Sequence, residues 1–136
     1  MSYEERGTWV YLLVTVGTWA AYAVVLLNRD GPLADVAYKG ALLWAIGLAI
    51  VGTVVARILV EIFTRGDQKT DERDRDVNRR GEYVAGTVLG VAMVGPLALT
   101  LAEARHFWIA NAMYAAFVLA AVVGSVVKLV AYRRGF

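Results

Sequence analysis

The chain has 136 residues, of which 59% are hydrophobic and 19% are charged, whereas an ordinary soluble domain is about half apolar and a quarter charged. It has no cysteine and one histidine, His106, which excludes disulfides, thiolate metal sites and any metal centre that needs several histidines from one chain. The formal net charge of +2 is too small to indicate a nucleic-acid-binding surface. We therefore predict an integral membrane protein that forms a single domain over residues 1–136 and uses no cofactor or metal ion.

Four apolar segments are each long enough to cross the hydrocarbon core of a bilayer, which takes about 20 residues. They cover about residues 8–27, 38–63, 83–102 and 107–130. Because backbone groups in lipid must be hydrogen-bonded within their own segment, we predict an α-helix for each. Acidic residues precede the first segment and its apolar run continues past Ala21 and Ala23, so we expect a retained helix rather than a cleaved signal peptide.

The distribution of Lys and Arg predicts the orientation of the four spans. The connection between the second and third spans carries Arg65, Lys69, Arg73, Arg75, Arg79 and Arg80, whereas the opposite side holds Arg29, Lys39 and Arg105. Both termini and the basic connection are therefore predicted to be cytoplasmic. The short connections make consecutive spans antiparallel neighbours. The predicted fold class is all-α, an up-down-up-down four-helix bundle that crosses the inner (plasma) membrane several times.

The second span contains two charged residues one helical turn apart, Arg57 and Glu61, in its cytoplasmic third. Ionisable groups are costly inside a bilayer and are functional candidates by default. Two interpretations stay open: Arg57 extends to the interface and pairs with Glu61 to anchor the helix, or the pair lines a gate or an ion pathway. In the fourth span, Asn111 is predicted to hydrogen-bond a neighbouring helix.

Small residues at helical spacing mark two of the spans. Gly86 and Gly90 form a GxxxG pattern in the third, and a stripe in the fourth consists of Ala116, Ala120 and Gly124. Such patterns let helices approach closely in lipid. They serve either packing within one chain or a face between copies in a homo-oligomer. Pro96 is predicted to bend the third helix because it lacks a backbone donor.

A charged hinge over residues 64–82 separates the second span from the third. Its acidic and basic residues are equal in number, which argues against a nucleic-acid partner. Pairs such as Asp71–Arg75 and Asp76–Arg80, four residues apart, favour a solvated helix leading into the third span, and Gly66 is a plausible end for the second. The alternative is a surface that docks a protein partner, formed by Asp71, Glu72, Arg73, Asp74, Arg75, Asp76, Arg79 and Arg80. A cation site is disfavoured because arginines alternate with the acidic residues.

The segment 71–80 reads DERDRDVNRR. It resembles the DERxxxIxxR motif of small four-span prokaryotic membrane proteins of unknown function, with Val77 where isoleucine is usual. The resemblance implies a prokaryotic inner-membrane location and no particular activity.

These features predict a non-enzymatic membrane protein, embedded in the lipid bilayer as a homo-oligomer, whose charged hinge docks a partner or regulates one. The sequence does not bring together an acid, a base and a nucleophile, as an enzyme would require. The alternative is a small oligomeric ion channel or solute transporter that uses Arg57 and Glu61. A mid-bilayer carboxylate, typical of proton-coupled exporters, is missing from the four spans.

Overall fold

The computed structural model describes residues 2–64 and 71–134. In chain order the helices are α1 (Tyr3–Leu27), α2 (Lys39–Phe63), α3 (Glu72–Ala92), α4 (Val94–Leu101) and α5 (His106–Arg134), with a short 3-10 turn at Leu33–Asp35 between α1 and α2. The predictions for Arg65, Gly66 and Lys69 lie outside the described residues.

Four helical segments in this part of the chain are long and apolar enough to cross a membrane: α1, α2, α3 together with α4, and α5. Each has 25 to 30 residues, which at about 1.5 Å per residue gives at least about 37 Å. The hydrocarbon core is about 30 Å thick. The predicted all-α class is therefore confirmed for the described residues, and the four segments have the length and composition of a multi-pass membrane protein.

Side-chain caps fix the beginnings of α1 and α3. The Ser2 side chain accepts a hydrogen bond of 3.2 Å from the Glu5 backbone N–H, which satisfies one of the free donors in the first turn. At α3, Asp71 and Asp74 form a reciprocal capping box. The charged hinge is thus helical from Glu72 onward and runs into the third span without a break, as its charge spacing predicts.

The third span is interrupted close to Pro96. The helix ends at Ala92, Met93 is a turn residue, and α4 resumes at Val94. Proline has no N–H to donate to the carbonyl four residues earlier, and its ring clashes with that carbonyl. The helix is therefore interrupted at Met93, three residues before Pro96, and this interruption separates α3 from α4.

The helices lie in the order α2, α1, α5, α3, and the bundle is open on one side. α1 packs against both α2 and α5, and α5 packs against α3 and α4. α2 makes its principal contact with α1 and has a single buried residue, Ala45. A groove consequently remains between α2 and α5, with α1 as its floor.

α3 and α5 come closest where two glycines face each other. A Cβ built at Gly124 would lie 2.8 Å from the Ala85 Cβ and 3.1 Å from the Gly81 carbonyl oxygen. The small residues of the α5 stripe, Ala116, Ala120 and Gly124, are all buried inside the chain. Gly86 and Gly90 are different: no described residue lies within 4 Å of a Cβ built at either, apart from the neighbours along α3 itself.

An aromatic core holds α1 and α5 together at the other end of the molecule. The Tyr22 and Tyr114 rings meet edge to face at 5.5 Å, and Tyr38 meets Phe107 in the same way at 5.0 Å. The Tyr22 hydroxyl donates a 2.7 Å hydrogen bond to Asn111 Oδ1. Asn111 thus contacts a neighbouring helix and, through Nδ2, its own backbone at Phe107.

Adding one methyl group at the α3–α5 contact should separate the helices. We expect Gly124→Ala to lower the free energy of unfolding by about 1–3 kcal/mol, the usual cost of overpacking. Gly86→Ala is the matched control, because its methyl meets no other part of the described chain. Both values can be measured by reversible unfolding in mixed micelles. Equal stabilities for the two variants would contradict the close approach.

Candidate functional site

The charged segment at the start of α3 contacts the C-terminal end of α5. The Arg73 guanidinium donates to the backbone carbonyl oxygen of Tyr132 at 3.1 Å and reaches that of Ala131 at 3.5 Å. Both carbonyls belong to the last described turn of α5, and carbonyls near a helix C-terminus commonly take acceptor partners from outside the helix. A cation here also complements the negative end of the helix dipole. Arg73 therefore caps α5 from a neighbouring helix.

α1 joins the same contact. The Asn78 side-chain amide donates a 3.1 Å hydrogen bond to Glu4 Oε2, and the Arg133 guanidinium lies 5.7 Å from the centre of the Trp9 ring. Val77 is 2% exposed and Asp74 7%. We call this meeting of the α1 start, the α3 start and the α5 end the three-helix junction, formed by Glu4, Trp9, Arg73, Asp74, Val77, Asn78, Tyr132 and Arg133.

The junction uses one side of the predicted docking segment and leaves the other exposed. Asp71 and Asp74 cap α3, and Arg73 caps α5. The remaining members are exposed on the opposite side of the helix: Glu72, Arg75, Asp76, Arg79 and Arg80.

The predicted pairing along this segment is wrong. Between residues that the structure describes, the ion pairs shorter than 4 Å are Lys128–Glu82 and Arg105–Asp35. Asp71–Arg75 and Asp76–Arg80 are not among them. The physical reason is that Asp71 is engaged at the helix start, while the other three side chains extend into solvent, where such pairs contribute little.

A polar vestibule lies next to the junction, between α1, α2, α3 and α5. Its volume is about 390 Å³. The polar side chains that line it are Thr8, Tyr11, Thr53, Arg57, Glu82, Ser125 and Lys128. Two cations thus face one carboxylate, and hydroxyl groups surround them.

The Lys128 side chain reaches the vestibule by passing directly over Gly81. A Cβ built at Gly81 would lie 2.3 Å from Lys128 Cγ and 2.6 Å from its Cε, so only glycine leaves room for this side chain. Lys128 Nζ lies 3.5 Å from Glu82 Oε1, with the lysine side chain 17% exposed and the glutamate 77% exposed. The lysine side chain is therefore largely buried, and its one ion-pair partner among the described residues is mostly exposed to solvent.

Arg57 and Glu61 are not brought together. Arg57 lines the vestibule and also a smaller cleft beside Tyr3, Glu4 and Gly7 of α1, whereas Glu61 lines neither. The predicted Arg57–Glu61 pair is absent from the ion pairs of the described chain. The reason is that Arg57 lies over the first turns of α1, where polar groups are already present.

An apolar groove continues from the vestibule. It has a volume of about 740 Å³ and runs between α1, α2 and α5. Three residues, Tyr11, Thr53 and Ala121, line both spaces. The vestibule and the groove therefore adjoin at these three residues, with the charged cavity on one side and the apolar cavity on the other.

Two residues of this site were not singled out from the sequence. They are Gly81 and Lys128. A lysine inside the last third of an apolar span is itself a signal, because it needs a polar environment. That Gly81 provides the passage depends on how α3 and α5 pack, which no local pattern reveals.

Comparison of the chain with protein-family models, with curated proteins and with solved structures gives no significant match. The site is therefore interpreted from its own chemistry.

Removing the Arg73 cap should loosen the end of α5. We expect Arg73→Gln to lower the free energy of unfolding by about 0.3–1 kcal/mol, the usual size of a charge at a helix end. A nitroxide on Arg134→Cys, unique in a chain without cysteine, should also become more mobile in its EPR spectrum. Arg75→Gln, exposed on the same helix, is the control. The same mobility in both variants would show that Arg73 does not hold α5.

Proposed function

We propose that the protein is a non-enzymatic, homo-oligomeric protein of the inner membrane that presents a charged docking face to a cytoplasmic partner. The docking face consists of Glu72, Arg75, Asp76, Arg79 and Arg80. In this proposal the spans run up-down-up-down and both termini are cytoplasmic.

The orientation is supported by which residues meet across the helices. Arg57 and Val60 line a cleft with Tyr3 and Gly7, and Gly81 faces Lys128. The ends of α1, α2, α3 and α5 that carry these residues therefore gather at one end of the molecule. That end has most of the arginines and lysines, as cytoplasmic ends of membrane proteins do.

The observation that carries the docking proposal is the division of α3 into two sides. The three-helix junction holds one side through Arg73, Val77 and Asn78. The docking face is exposed and its predicted internal pairs are not formed, so its charges are available to another molecule. A helix fixed in advance loses less entropy when it binds, and exposed charges of both signs favour one register over others.

The channel or transporter alternative has less support. It relied on Arg57 and Glu61 acting as a pair, and only Arg57 lines the vestibule. A pathway would also need to continue to the opposite end, where the aromatic core of Tyr22, Tyr38, Phe107 and Tyr114 is buried or half-buried.

Crosslinking from the docking face tests the proposal. We expect Arg80→Cys, carrying a membrane-impermeant photocrosslinker applied to inverted membranes, to attach to one discrete second polypeptide. Asp30→Cys, in the exposed α1–α2 connection, controls for the orientation, because the reagent should not reach this position in inverted membranes. A combined variant carries Arg80→Cys together with Glu72→Gln, Arg75→Gln, Asp76→Asn and Arg79→Gln. The last four substitutions remove two negative and two positive charges, so they leave the net charge unchanged.

The expected result is that the combined variant keeps its thermal stability and loses the crosslink, because the substituted side chains make no described contact within the chain. A crosslink that persists in the combined variant, or one that joins only copies of this chain, would contradict the docking face.

A further inference from the structure

We infer that the vestibule and the apolar groove together hold one anionic phospholipid, with its phosphate between Arg57 and Lys128 and one acyl chain between α1, α2 and α5. This ligand is separate from the docking face and does not depend on it.

The vestibule is suited to an anion. Arg57 and Lys128 line it with a single carboxylate, that of Glu82, which is 77% exposed and 3.5 Å from the lysine ammonium. A second carboxylate, that of Glu4, lies in the neighbouring cleft and not in the vestibule, and it accepts a hydrogen bond from Asn78. A largely buried lysine with so little compensation is costly near a bilayer. A phosphate between the two cations would supply the missing negative charge, and basic pockets between spans do bind lipid headgroups.

The groove fits an acyl chain better than a soluble ligand. Along α2 it runs from Thr53 to Leu42, and along α5 from Ala121 to Ala110. Each distance is about 16 Å at about 1.5 Å per residue, which is half the hydrocarbon core of about 30 Å. A chain that enters from the leaflet at the vestibule end would therefore reach the mid-plane where the groove ends.

The boundary between head and tail coincides with the residues that the two spaces share. Tyr11 and Thr53 line both, and each has a hydroxyl on an otherwise apolar side chain. Below them, the groove is lined mainly by side chains such as Ile46, Ile50, Met113 and Phe117. This order, cations then hydroxyls then hydrocarbon, matches the order phosphate, glycerol ester and acyl chain.

Native mass spectrometry of the intact protein with defined lipids tests the assignment. Phosphatidylglycerol and phosphatidylethanolamine with identical chains are added, and glycerol phosphate serves as the free headgroup. We expect one phosphatidylglycerol per chain, retained with about tenfold preference over phosphatidylethanolamine, because the ammonium of phosphatidylethanolamine would add a third cation beside Arg57 and Lys128. Glycerol phosphate alone should not be retained. Equal retention of the two lipids, or retention of glycerol phosphate, would overturn the proposal.

Variants locate the site. Arg57→Gln and Lys128→Gln should each lower retention of phosphatidylglycerol about tenfold, whereas Lys128→Arg keeps it. Arg75→Gln, a charge change on the docking face, should have no effect. Ile46→Trp, which fills the groove, should abolish retention, and Leu48→Trp, exposed on α2 outside the groove, should not. If Arg75→Gln or Leu48→Trp lowered the retention of phosphatidylglycerol as much as the site variants do, the lipid would bind elsewhere.

Gly81→Ala keeps every charge and still tests the site. The added methyl displaces the Lys128 stem, so the preference for the anionic lipid should fall while Gly86→Ala retains it. Unchanged preference in Gly81→Ala would show that the lysine does not bind the phosphate from its present position.

Discussion

The close approach of α3 and α5 at Gly81 and Gly124 is the constraint on which the rest of the structure depends. The two backbones are near enough that a single Cβ at Gly124 would meet the Gly81 carbonyl oxygen at 3.1 Å. This contact places Arg73 at the end of α5 and buries Val77. It also lets Lys128 pass over Gly81 into the vestibule. In lipid, where apolar side chains gain little by leaving their surroundings, such close contact is a main source of helix association.

The acidic and basic segment at the start of α3 has two physical roles on two sides of one helix. Its inward side provides caps: Asp71 and Asp74 for α3, Arg73 for α5. These contacts satisfy backbone groups that would otherwise be unpaired at helix ends. Its outward side carries charges that the described chain does not neutralise. A segment that looks like one motif in the sequence therefore partly holds the helices together, and the docking that we propose can involve only the remainder.

Local physics made the elements of the fold predictable. The spans follow from apolar length, and the break at Met93 follows from Pro96. The start of α3 follows from Asp71 and Asp74, whose side chains form its capping box, and not from the predicted charge pairs. The hydrogen bond between Asn111 and a neighbouring helix was predictable because a polar group in lipid needs a partner. The order of the helices was not predictable. The spans are apolar on nearly every side, so the sequence does not indicate which side faces which neighbour. For the same reason the direction of Arg57, the passage at Gly81 and the vestibule itself were not predictable from spacing.

Backbone amide hydrogen exchange over residues 74–81, with the protein in a lipid bilayer, distinguishes a charged segment held by α5 and α1 from a solvated extension. We expect these amides to exchange as slowly as those of α5 near Gly124, and we expect Gly124→Ala to accelerate exchange in both segments together. Fast exchange over 74–81 beside a protected α5, in the unmodified chain, would contradict this expectation.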